Sequence, residues 1–87
     1  MGNKYEVRKV RGVTFFFKYE EDAPDLLHIW VRHLTTIEES IEVFFESESK
    51  YNKKHNRYEA LNQTHKIYWN YIGDIKNKVI IITCFKV

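Results

Sequence analysis

Four histidines, one cysteine and two clusters that mix basic with aromatic residues carry whatever chemistry this 87-residue chain can perform. His33 follows Arg32 where two helical patterns meet. An imidazole titrates near pH 6.5, so His33 is the first candidate for a general acid or base, although a capping or core-edge histidine has the same signature. Arg57 opens a strand beside the lysine pair Lys53-Lys54, which suits it to bind a phosphate or equally to sit as a surface charge. Farther on, His65-Lys66-Ile67-Tyr68-Trp69 places a second candidate acid (His65) and a cation (Lys66) next to two rings able to stack on a nucleobase. Adjacent strand residues point to opposite faces, so one of Tyr68 and Trp69 faces outward and the other enters the core. Lys86 adds a cation at the end of the last strand.

Other chemistries lack their residues. His28 and His33 are five apart, a poor interval for a helical pair of metal ligands, and no cysteine or carboxylate stands at ligand spacing. Neither a metal nor another cofactor is expected. Cys84 lies in an apolar run and reads as an inert buried thiol without a disulfide partner. There is no glycine-rich phosphate loop and no Gly-x-Ser-x-Gly elbow. No apolar run approaches the roughly 20 residues that span a bilayer. The opening MGNKYEVRKV has no secretory apolar stretch, and Glu6 stands where a myristoylation motif has Ser or Thr. A soluble, cytoplasmic protein with no membrane partner is the expectation.

Net charge is only +2, but it is segregated. Residues 1–19 balance at +4, residues 20–48 at −8 and residues 49–87 at +6. If the two basic blocks share a surface, it can release counterions from a nucleic acid or dock an acidic protein. With 44% apolar and 16% aromatic residues there is material for one core, and residues 1–87 are read as a single domain. A domain of this size buries only about 60–65% of its unfolded surface, which leaves room for a partner or a dimer.

The elements that must position these side chains follow from periodicity. Residues 5–19 alternate as a hairpin, with Val13, Phe15, Phe17 and Tyr19 on one face, Phe16 on the other, and Arg11-Gly12 as the turn. Three consecutive phenylalanines cannot all point inward. Pro24 predicts the first turn of a short helix whose face is Leu26, Ile29, Trp30 and His33, with a strand as the alternative. A second helix has two overlapping capping boxes, Thr35/Glu38 and Thr36/Glu39, and an apolar stripe of Ile37, Ile41, Phe44 and Phe45. Residues 47–56 read as a basic loop. Strands are expected over 57–61, 67–72 and 79–85, the last apolar on both faces and therefore central. The fold class is α+β: a small antiparallel sheet, made of the N-terminal hairpin and three C-terminal strands, packed against one or two helices.

From Trp30 onward the chain resembles the BrnT-type toxins of the RelE/ParE-like superfamily; the domain portion concerned is 24–87. The resemblance rests on Arg32-His33 ahead of the acidic helix EESIEVFFES, on NRYEALNQT, similar to a family strand and turn R-Y-x-A-L-G-Q-T, and on KVIIIT near the end. It implies a small toxin of a type II toxin–antitoxin pair that cleaves RNA without metal and is neutralised by an acidic antitoxin. On that resemblance His33, Arg57, Lys66 and His65 are the candidate catalytic residues, and Arg32, Lys53, Lys54, Tyr68 and Lys86 the RNA-binding ones. The family turn G-Q-T-x-x-G-R is here Asn62-Gln63-Thr64-His65-Lys66-Ile67-Tyr68, without its glycine and arginine, and the terminal Ala-Arg is Cys84-Phe85. Lys66 can replace the cation but lacks the planar fork that grips phosphate. Those losses define the alternative: a non-catalytic interaction module on the same fold, binding protein or nucleic acid or forming a homodimer through the N-terminal hairpin.

Overall fold

A computed structural model describes residues 5–87; the Met1-Gly2 start lies outside the described residues. Tyr5–Val10 (β1) and Val13–Glu20 (β2) pair antiparallel around Arg11-Gly12. Both turn residues have positive φ, 51° and 79°, giving the turn whose twist matches that of the strands. Phe15 and Phe17 point inward and are fully buried, while Phe16 points to the opposite face, edge-on to Tyr5.

The next segment differs from the helix expected from Pro24. Ala23–Leu27 (β3) doubles back antiparallel on the end of β2, and the helix begins only at His28–His33 (α1). Proline's fixed φ suits a strand as well as a helix start, and a short pairing of two residue couples loses little from its missing N–H. α1 stops at Leu34, which takes the left-handed conformation with φ 50°. The amides of Leu34 and Thr35 fold back onto the carbonyls of Trp30 and Ile29. His33 is thus the last helical residue.

Ile37–Glu46 (α2) uses one of its two capping boxes. The Thr36 hydroxyl accepts from the Glu39 amide at 3.1 Å, and the Glu39 carboxylate accepts from the Thr36 amide at 3.0 Å. Thr35 is buried instead, its hydroxyl donating to the His33 carbonyl. The buried face of α2 is Ile37, Ser40 and Val43, flanked by Ile41, Phe44 and Phe45, so the contact line is rotated from the stripe the large residues outline. Small side chains at the line of closest approach let the helix settle on the sheet.

Lys50–Asn52 (β4) forms inside the stretch expected as a loop and pairs with Arg57–Leu61 (β5). His65–Ile72 (β6) and Ile75–Lys86 (β7) complete a sheet ordered β1-β2-β7-β6-β5-β4, with β3 off its path. β7 is central, as its two apolar faces imply. The α+β class holds, and the sheet is mixed rather than wholly antiparallel. Thr14–Phe17 run parallel to Lys78–Ile81, because the β4-β5-β6 meander returns the chain in the direction of β2. The helices cover one face, over Phe15, Phe17, Ile67, Trp69, Val79 and Ile81. Among the described residues the other face meets a helix only near the end of β7, where His33 of α1 reaches Phe85.

Candidate nucleic-acid interface

Strand alternation sets Arg57 and Glu59 of β5, Lys66 and Tyr68 of β6, and Phe85 of β7 on the uncovered face, opposite the buried Ala60, Ile67 and Cys84. The Arg57 guanidinium lies 3.6 Å from the centre of the Tyr68 ring. Its Nε donates to Glu59 at 2.9 Å, and Lys66 Nζ stands 3.8 Å from the same carboxylate. Asn52 donates to it at 3.0 Å. The Arg57 hydrogen bond, with Asn52 and the Lys66 charge behind it, holds the Glu59 carboxyl below the usual carboxylate range. Tyr68 meets Phe85 with ring centres 5.5 Å apart, and Phe85 meets His33 at 5.7 Å. His33, Phe85, Tyr68 and Arg57 therefore form one continuous strip. Burial, with the His28 and Arg32 charges adding, pushes His33 below its ordinary pKa, so the ring is neutral at pH 7.

The strip runs into an open cleft of about 860 Å³ that Glu59 and Lys66 also line. Lys50, Lys53 and Lys54 complete its basic wall, with Tyr51 beside them and Glu48 as the other acid. Asn52 shapes the turn by accepting from the Lys54 and His55 amides, at 3.0 and 3.3 Å. Four lysines around one concavity make a local positive potential suited to a polyanion.

Three sequence candidates lie elsewhere. His65 was expected as an acid, but it is buried beneath the start of α2. Its Nδ1 is 2.8 Å from the Thr64 hydroxyl and its Nε2 is 3.2 Å from Glu39, out of line for a hydrogen bond. Strand parity turns it away from Lys66. Lys86, read as RNA-binding, is its register partner, and its charge helps the Thr36 amide hold the Glu39 carboxyl low. Arg32, also read as RNA-binding, is committed to Glu20 by a two-pronged contact of 2.8 and 3.3 Å. Trp69 is the core ring of its pair, donating to Ser49 at 2.8 Å and stacked on Tyr58, while Tyr68 faces outward. Cys84 is buried, and burial pushes its thiol up.

Glu20 is the residue that the sequence hid. Only 7% exposed, its carboxylate takes Arg32 and His28 and holds β2 to α1. The Arg32 hydrogen bond, aided by His28 and opposed by burial, lowers its pKa from 4.5 to about 2. A depressed folded pKa gives stability that is full above the unfolded value and is lost as pH falls through the folded one. Acid titration of the unfolding free energy is therefore expected to show a steeper loss between pH 4.5 and 2 than in Glu20→Gln. Superimposable pH profiles would remove Glu20 from this role. Glu59 and Phe85 were also missed. Period-two spacing from Arg57 puts Glu59 on the same face, whereas the contact of Phe85 with His33 needs the tertiary fold.

No helix of the described residues is long and apolar enough to cross a membrane. Comparison of the chain with protein-family models, curated proteins and solved structures gives no match.

Proposed function

We propose that the chain is a BrnT/RelE-like toxin of a type II toxin–antitoxin pair that cleaves RNA without metal on its uncovered sheet face. The observation that supports this most is the strip from His33 through Phe85 and Tyr68 to Arg57, ending at a lysine-lined cleft. Tyr68 and Phe85 offer ring surfaces to bases, and the lysines follow the phosphates. Neutral His33 takes the proton of a 2′-hydroxyl, and the 2′ oxygen attacks the adjacent phosphorus. Lys66, the register partner of Phe85, stabilises the charge gathering on the phosphoryl oxygens, and Arg57, beyond Tyr68, holds a neighbouring phosphate of the RNA. The bond to the 5′ oxygen breaks, and that oxygen takes a proton from solvent, leaving a cyclic phosphate and a 5′-hydroxyl. An acidic antitoxin would neutralise the protein by covering the same basic face.

A second reading has its own support. Arg57 and Lys66 both sit against Glu59, so a phosphate must compete for them. On that reading the chain is a non-catalytic interaction module, a homodimer through the N-terminal hairpin or a binder of another macromolecule.

Fluorescence anisotropy with a labelled single-stranded RNA separates the two. The log of the binding constant is expected to fall linearly with log salt. Tyr68→Ala is expected to weaken binding by about 1–3 kcal/mol, roughly 5- to 150-fold, through lost stacking. Cleavage should persist in EDTA. Absence of RNA binding at low salt would overturn the proposal; binding without cleavage would favour the interaction module.

A further inference from the structure

β1 ends the sheet, and among the described residues its only strand partner is β2, so its outer edge leaves alternate backbone N–H and C=O groups unpaired. The edge is six residues long and lacks proline and glycine. Its large apolar side chains are open, Tyr5 at 38% and Val7 at 45% exposure. Register with β2 puts Tyr5, Val7 and Lys9 on the uncovered face, with Phe16, and puts Glu6 and Arg8 on the helix-side face, with Phe15 and Phe17.

We propose that this edge binds a second copy of the chain. The two β1 strands pair antiparallel about a two-fold axis at Val7 and join the sheets into one. The proposal rests on the homodimer form of the second reading above and fixes its surface and register. The pattern of β1 selects that register. Centred on Val7, Glu6 faces the second copy's Arg8 and Arg8 faces its Glu6, while Tyr5 faces its Lys9 and the two Val7 side chains meet. Opposite charges directly across a strand pair attract, and like charges repel. The two adjacent registers that keep the helices of both copies on one face are worse. Centring on Glu6 opposes two carboxylates, and centring on Arg8 opposes two guanidiniums. Within one chain Arg8 Nη1 already lies 2.9 Å from Glu6, so the dimer exchanges two exposed local ion pairs, one in each copy, for two pairs across the junction. The aromatic and basic faces of the two copies then lie side by side.

Light scattering is expected to give about twice the 10.6 kDa of one chain. Glu6→Arg puts arginines opposite one another at both ends of the junction and should convert the dimer to monomer. Combining Glu6→Arg with Arg8→Glu restores opposite charges at the same positions and should restore the dimer. Val7→Cys sits on the axis, where paired strands bring Cα atoms within disulfide range, and should oxidise to a linked dimer. Lys18→Cys, on the same face but one strand inward, should not. The strand edge is exposed, so these variants keep the core, which near-ultraviolet circular dichroism of Trp69 checks. A dimer that ignores Glu6→Arg and leaves Val7→Cys unlinked would overturn the β1 register and leave dimerisation by another surface. A monomer at every accessible concentration would overturn both.

Discussion

His33→Ala is expected to lower RNA cleavage by about 10²- to 10⁴-fold, the range that a positioned general base supplies, while RNA binding changes little. The ring stands at one end of the strip, against Phe85, and Arg57 and the lysine-lined cleft lie beyond Tyr68. It is kept neutral chiefly by burial and then by the His28 and Arg32 charges. Because the shift is downward, the acid limb of the pH–rate profile should fall below pH 6.5 and should vanish in the variant. Single-turnover cleavage of a labelled RNA, followed from pH 4.5 to 8 with EDTA present, measures both. A variant with full activity, or a limb that survives the substitution, would take the base role from His33. His65→Ala serves as the contrast. It lies under α2 and should alter stability more than chemistry.

Phe15→Ala should be the most damaging single change to the fold. Phe15 has no solvent exposure, is edge-on to Phe44 at 5.0 Å and Phe45 at 5.7 Å, and its strand is paired to β1 on one side and β7 on the other. Truncating such a ring costs about 3–5 kcal/mol. Small domains hold only about 5–15 kcal/mol in all, so the variant should melt on the order of 20 °C lower or fail to fold. Phe16→Ala, one residue along and on the uncovered face, should cost much less. Equal losses at the two positions, read by thermal denaturation, would show that the uncovered face is not a surface.

Much of the fold was legible because local signals were strong. Alternation around Arg11-Gly12, the Thr36/Glu39 box and the doubly apolar end strand each named its element. Pro24 misled because its φ serves a strand and a helix start equally. β4 was invisible because Lys50-Tyr51-Asn52 has no apolar period and is a strand only through its pairing with β5. At the site, Arg57, Lys66 and Tyr68 were legible as residue types, but their shared face comes from the β5–β6 register, and strand parity alone should have separated His65 from Lys66. The grip of Glu20 on Arg32 spans 12 positions and two elements, a relation that no local pattern encodes.

The parallel seam between β2 and β7 also bears on how the molecule is made. Phe15 lies beside Val79 of β7, the last strand in chain order. During translation the Phe15-Phe16-Phe17 strand therefore emerges with an open flank, and it stays open until the residues around 79 have left the ribosome. Pairings so distant along the chain close slowly. A nascent chain stalled before that point presents a sticky aromatic ribbon, so synthesis cut short should give aggregates rather than a smaller folded protein.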